Sequence, residues 1–187
     1  MKFQSQKKDF LSKPDKSGIG GIDEDIKKLI TLINKSQDYY TTSSCAGRIV
    51  LMKETGKKQE NVFIFVTHKK GSFGQLKTAL KLDPRANDMI YLKEEPCILH
   101  IACKNSEMAE KLVKAARQCG WKKSGIISLK ENKVMVELLS TERVETPVSN
   151  KGKVLIPDDY LEILVKECNR KLSLTRQKIK KLEKSFR

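Results

Sequence analysis

Cys97-Ile98-Leu99-His100-Ile101-Ala102-Cys103 is followed, two residues on, by Ser106-Glu107-Met108-Ala109-Glu110-Lys111-Leu112-Val113-Lys114-Ala115-Ala116-Arg117-Gln118-Cys119-Gly120. The first run is apolar with β-branched residues and is the length of one strand. The second has apolar residues at helical spacing, Ser106 where an N-cap belongs and Gly120 where a helix stops. Beyond Gly120, Ile126–Leu129 and Val134–Leu139 form a hairpin through Lys130–Lys133. Strand, helix and hairpin in this order predict an α+β fold.

Outward from this block, a turn at Glu95-Pro96 links the Cys97 strand to another at Met89–Leu92. Val62–His68 is almost wholly apolar and reads as a central strand buried on both faces. Gly71–Leu82 reads as a helix, and Asp38–Met52 as β structure interrupted at Ser43–Gly47. Asp23, Glu24 and Asp25 open a helix whose buried face is Ile26, Leu29, Ile30 and Ile33. Phe3–Lys13 is a short helix stopped before Pro14, and Ser17–Gly21 is a loop. No strand precedes Gly18-Ile19-Gly20-Gly21, so a dinucleotide fingerprint is not supported there.

The chain from Pro157 on reads as one long helix. Leu161, Val165, Cys168, Leu172, Thr175, Ile179, Leu182 and Phe186 form a narrow seam with a basic back. The seam suits docking on the same chain better than pairing with a second helix. A weak echo between Ser44–Val50 and Ser124–Ile127, each leading into a hairpin and then a helix, suggests two β-β-α-β units in one mixed sheet.

The 187 residues fit a single domain with residues 156–187 as its terminal helix. The formal charge is +15, and apolar residues make up 39% of the chain, which excludes a disordered basic tail. Lys166–Arg187 holds nine Lys or Arg against two Glu, net +7, and the first 16 residues are net +3. Such clustering is the footprint of a polyanion, nucleic acid first, with a merely Lys-rich solvated helix as the main alternative and an anionic membrane surface as a lesser one. No apolar run reaches the roughly 20 residues of a membrane span, and residues 1–8 show no signal-peptide stretch. Five scattered cysteines argue against a disulfide framework or a zinc site, and for a reducing, cytoplasmic setting.

The densest chemistry lies in Asp38-Tyr39-Tyr40-Thr41-Thr42-Ser43-Ser44-Cys45-Ala46-Gly47-Arg48. Four consecutive hydroxyl side chains and an arginine can line a polar pocket or hold a carboxylate or phosphate. A Thr-rich strand edge accounts for the same run. His68 and His100 are the only histidines, and each is a candidate base or a structural histidine. Glu142-Arg143 offers a charged pair at a strand end.

At these motifs the chain resembles the wybutosine-synthesising tRNA methyltransferase family. The resemblance rests on Asp38–Ile49 and is joined by Ile22–Ile26, Val66-Thr67-His68-Lys69 and Glu95–Ile101. Ser124-Gly125-Ile126, Ser140-Thr141 and Lys151-Gly152-Lys153 follow in order. Ile19 and Leu139 stand where the family commonly has a basic residue. The resemblance implies a curved, barrel-like α+β sheet outside the Rossmann class. It also implies S-adenosylmethionine as methyl donor and N4-methylation of the 7-aminocarboxypropyl-demethylwyosine intermediate, next to the anticodon of phenylalanine tRNA. An exposed anticodon-loop base suits a basic surface with a stacking pocket. Carried onto this sequence, it implies His100, Asp38, Ser44 and Arg48 as catalytic residues. Thr42, Ser43, Ser44, Cys45, Gly47, Arg48, Ser124 and Gly125 would hold the donor. Asp23, Tyr40, His68, Ser140, Thr141, Arg143, Lys178 and Lys181 would hold the RNA. No metal is expected, and the protein is expected to act as a monomer. A non-catalytic RNA-binding module and an assembly protein built on the terminal seam are the competing readings.

Overall fold

The computed structural model describes residues 2–13, 21–53, 62–81 and 88–186. In chain order the elements begin with α1 (Lys2–Leu11), α2 (Glu24–Lys35), β1 (Tyr39–Cys45), β2 (Arg48–Lys53) and β3 (Phe63–Thr67). Then come α3 (Phe73–Lys81), β4 (Met89–Glu95), β5 (Ile98–Cys103) and α4 (Ser106–Gln118). The chain ends with β6 (Gly125–Lys130), β7 (Lys133–Leu139), β8 (Val144–Asn150), β9 (Lys153–Val154) and α5 (Asp158–Lys184). The fold is α+β. The loop expected at Ser17–Gly21 and the departure at Ile19 lie largely outside the described residues.

The chain divides into two compact units, one of residues 1–46, 97–141 and 175–187, the other of 47–96 and 142–174. The first contains a four-stranded sheet in the order β1-β5-β7-β6, and the second a five-stranded sheet in the order β3-β2-β4-β8-β9. Every described strand pairing is antiparallel. The expected single mixed sheet is therefore corrected to two antiparallel ones. The physical reason is a strand inserted into each β-α-β crossover. β3-α3-β4 places its two strands on either side of β2, and β5-α4-β6 places its two on either side of β7. Strands joined through a helix run parallel, but neither pair is adjacent. The units also differ in chain order: β2-β3-α3-β4 is a β-β-α-β unit, whereas β5-α4-β6-β7 is β-α-β-β and leads into β8 rather than a helix. The echo between the halves is thus not a simple repeat.

In the first unit, Ile26, Leu29, Ile30 and Ile33 of α2 pack with Leu99, Ile101 and Cys103 of β5 and with Leu112 and Ala116 of α4. These are the alternate residues of β5 that the strand period sends to one face. Trp121 and Ile179, both fully buried, complete this core. In the second unit, Ile49, Leu51, Leu92 and Val148 of the sheet pack with Leu76 of α3 and with Leu161, Val165, Cys168 and Leu172 of α5. All eight seam positions are buried or partly so, which agrees with docking on the same chain.

Two local expectations are corrected. β3 is an edge strand with Phe63 and Val66 about two-fifths exposed, at 44% and 42%, not a central strand. An apolar run does not distinguish the two, and here the Arg48 guanidinium lies 4.7 Å from the centre of the Phe63 ring and covers part of it. Helix α4 is capped by Asn105, whose Oδ1 accepts the Met108 N–H at 2.9 Å, one residue earlier than expected. Gly120 ends that helix with φ +94°, a conformation glycine adopts without strain.

Candidate active site

Strand β5 is central to its sheet, so its outward residues face cross-strand partners on both sides. Ile101 and Leu99 point to the core, which sends Ile98, His100 and Ala102 to the other face. His100 stands opposite Ser43 on β1 and opposite Glu137 on β7. Its Nδ1 lies 2.8 Å from the Ser43 Oγ and its Nε2 lies 2.9 Å from Glu137 Oε2. The His100 and Glu137 side chains are about one-third exposed, at 32% and 29%.

An irregularity in β1 makes this row possible. The register shifts between Thr41 and Ser43, leaving Thr42 as a bulge residue. Tyr40 and Ser43 are three residues apart, and an unbroken strand would put them on opposite faces. The bulge returns Ser43 to the face of Tyr40 and Ala102. Thr42 uses its hydroxyl to donate to the His100 carbonyl at 3.2 Å. Asn34 fixes the strand just before the bulge, its Oδ1 accepting the Thr41 N–H at 2.8 Å.

Glu137 was not among the candidates from sequence, though a signal exists. It is the acid in β7 on the side opposite Val134, Val136 and Leu138, and the β5–β7 register places it across from His100. Its other neighbour is Gly125, where a Cβ would meet nothing within 4 Å. Gly125 also borders a groove of about 580 Å³ between α4 and β6, with Lys114 and Arg117 on its helical side.

The remaining candidates divide by what holds them. Asp38 stands level with Lys104, four residues or roughly 13 Å along β5 from His100, with Lys104 Nζ at 3.8 Å. It is not brought to His100, and Glu137 holds the position beside that imidazole instead. Tyr40 is buried at 2% exposure, its ring 5.4 Å from that of Phe3 and 5.6 Å from that of Phe10. That covering removes it as an open stacking surface, and burial pushes its phenol pKa up. Ser44 pairs with core-facing Leu99, and Cys45 with Ile98 on the His100 face.

Ser124 is buried, and its hydroxyl accepts the Leu139 N–H at 3.1 Å while its carbonyl accepts both Nε and Nη2 of Arg117. Ser140 is equally buried, and its Oγ accepts the Cys97 N–H at 3.1 Å. Both serines pin strand ends. Thr141 is exposed and accepts from Lys178 Nζ at 2.7 Å. Lys178 also packs its side-chain carbons over Gly120, and Lys181 is exposed on the same helix. Asp23 accepts the Ala46 N–H at 2.8 Å.

In the other unit, Arg48 Nε donates to Glu95 Oε2 at 2.6 Å across the β2–β4 pair. Gly47 precedes it with φ +89°. His68 follows β3, half-buried, and Arg143 pairs with Glu145. The thiols of Cys97, Cys103 and Cys168 are pushed up by burial, the last two to about 12, which leaves them poor nucleophiles at neutral pH.

The model of the methyltransferase TYW3 family matches residues 5–187. A Xenopus laevis protein named tRNA wybutosine-synthesizing protein 3 homolog is 35% identical over 95% of this chain and 71% of that protein. A Methanocaldococcus jannaschii protein named tRNA(Phe) 7-((3-amino-3-carboxypropyl)-4-demethylwyosine(37)-N(4))-methyltransferase is 35% identical over 84% of this chain and 82% of its own length. A solved structure of the PH1069 protein from Pyrococcus horikoshii superposes with a TM-score of 0.89 at 31% identity, covering 99% of this chain and 96% of that one. The chain belongs to the TYW3 methyltransferase family.

Proposed function

We propose that this protein transfers a methyl group from S-adenosylmethionine to N4 of the 7-aminocarboxypropyl-demethylwyosine base of phenylalanine tRNA. The observation that carries the reading is the 35% identity, over most of both chains, to the Methanocaldococcus jannaschii protein whose name states that reaction. The five free cysteines support a reducing, cytoplasmic setting.

The donor set of the first unit fits S-adenosylmethionine by its chemistry. The one-third-exposed Glu137 carboxylate suits a ligand bearing ammonium and sulfonium charge. Gly125 leaves open space beside that carboxylate. Bound there, the donor supplies an electrophilic methyl group on a positively charged sulfur. The chain's own task is to bring the acceptor nitrogen in line and to take its proton. His100 is the base within reach of that face, and Arg48, steadied by Glu95, is read as a cation for a ligand carboxylate or phosphate. Lys178 and Lys181 are read as RNA contacts on the basic helix.

The test uses phenylalanine tRNA from a strain lacking this activity, with isotope-labelled donor and the full chain. One methyl group per tRNA on the tricyclic base is the expected result. Calorimetry with the donor alone runs beside it. Donor binding without incorporation would reject the acceptor assigned here, and no saturable donor binding by folded protein would reject the enzyme reading.

A further inference from the structure

The geometry points to a proton relay of Ser43, His100 and Glu137, in which Ser43 touches the substrate and Glu137 sets the tautomer of His100. The inference rests on the methyl-transfer reading above. Its starting point is the direction of the two hydrogen bonds. An ionised carboxylate can only accept, so the 2.9 Å contact requires a proton on His100 Nε2. In the neutral ring Nδ1 then carries the lone pair, and the Ser43 hydroxyl donates to it across 2.8 Å. One face of the Ser43 oxygen remains for a ligand, since Ser43 is exposed and its other contact is with the imidazole.

Both ring nitrogens of His100 are thus engaged, and a ligand's proton passes to Nδ1 through the Ser43 hydroxyl bonded to it. The three side chains come from three adjacent strands in one cross-strand row, so backbone hydrogen bonds fix their spacing. α4 packs on the opposite face of this sheet, and α1 reaches the His100 face at Tyr40, Ala102 and Met135. Among the described residues, the side-chain groups hydrogen-bonded to the imidazole are therefore the Ser43 hydroxyl from β1 and the Glu137 carboxylate from β7.

The transfer balances. The acceptor nitrogen forms the new N–C bond as the C–S bond breaks, with that electron pair remaining on sulfur to give a neutral thioether. The nitrogen's proton passes to Ser43 Oγ while the Ser43 proton passes to His100 Nδ1. The resulting imidazolium has its Nε2–H directed at the Glu137 carboxylate, which offsets the charge. Ser43 is the residue that contacts substrate, and Glu137 is a positioning residue.

The first readout needs no substrate. Nitrogen-15 NMR of the ring nitrogens in the full chain distinguishes the tautomers, and with two histidines the signals are assigned through His68→Gln. A neutral Nε2–H form at His100 is expected, shifting toward a mixture in Glu137→Gln and retained in Glu137→Asp. An Nδ1–H form in the unmodified protein would overturn the inference.

The second readout is single-turnover methyl transfer with saturating donor. Ser43→Ala is expected to lower the rate by about 10²-fold, the usual contribution of a positioned acid or base, with melting temperature kept. Glu137→Asp should keep more of the rate than Glu137→Gln. A wild-type rate in Ser43→Ala would remove the relay while leaving the methyltransferase reading intact. Failure of the unmodified protein to methylate would remove both, whatever the tautomer.

Discussion

The Asp23 carboxylate accepts the backbone N–H of Ala46 at 2.8 Å, although Asp23 stands at the N-cap of α2 and gives that helix no side-chain hydrogen bond. The carbonyl of the same Ala46 accepts from Arg176 of α5, whose Nε lies 2.8 Å from Asp25. Both backbone polar groups of one fully buried residue are thus held by side chains from helix α5 and the start of α2. Ala46 follows directly on β1, so this grip fixes the end of the strand that carries Ser43. An acid expected to bind RNA is placed where it anchors the backbone.

Asp23→Ala should therefore destabilise the protein by about 1–3 kcal/mol, the cost of leaving a buried donor unpaired. Asp23→Asn retains an acceptor and should cost less. Arg176→Ala should be destabilising as well, and the pair should couple by about 0.5–3 kcal/mol in a double-mutant cycle because they share Ala46. Urea midpoints of the four proteins measure this. Strict additivity would mean that the two side chains act independently.

The helix α5 seam can be tested at Ile179, fully buried beside Trp121 in the first unit's core. Ile179→Ala should cost about 2–5 kcal/mol through lost burial and a residual cavity. Trp121 is the chain's one tryptophan and donates its indole N–H to the Lys178 carbonyl at 3.3 Å, so its fluorescence reports the same region. A change within experimental error of zero would mean that this part of α5 is not core.

Much of this was legible in the sequence where period alone decides. The buried face of α2, the hairpin β6–β7 and the seam of α5 follow from helical and strand spacing, and each is found as expected. Strand adjacency was not legible, because a β-α-β run leaves no mark of the strand that inserts between its ends. β2 and β7 do this here, which turns an expected mixed sheet into two antiparallel ones. The site was half legible for a related reason. His100 and Ser43 stood out by residue type, whereas Glu137 acquires meaning only from its cross-strand register. Ser124 and Ser140 looked like ligand groups, but their hydroxyls accept backbone N–H groups at strand ends.

Alkaline stability follows from weak acids that burial keeps neutral, among them half-buried Tyr39 and buried Cys103 and Cys168. Burial, aided by nearby negative groups, pushes the Tyr39 hydroxyl to about 12, and burial pushes the Cys103 and Cys168 thiols to about 12. In the unfolded chain these groups ionise near about 10 and about 8.5. The neutral forms are thus favoured by folding. Their contribution is fully present below the unfolded values and is lost as pH rises toward 12. The urea midpoint should stay level to about pH 8 and fall steadily by about pH 11. Tyr39→Phe should make the fall shallower. A level curve across this interval would show that the groups are not shielded.

Removing the end of α5 would be a poor test of RNA binding, because Leu172, Ile179 and Leu182 would leave the cores with it. Lys180, Lys181 and Lys184 are exposed while Ile179 and Leu182 beside them are buried, so their charge can be changed without disturbing the packing. Surface substitutions of this kind typically alter stability by less than about 0.5 kcal/mol. If all three lysines meet phosphates, changing them together to glutamine should reduce the slope of log affinity for tRNA against log salt by about three, roughly one for each phosphate no longer neutralised. Affinity should fall most at low salt, and donor binding should remain at the parent value. A slope equal to the parent's would move the phosphate footprint to other lysines, and Lys2, Lys8 and Lys13 at the N-terminal end would be the next to change.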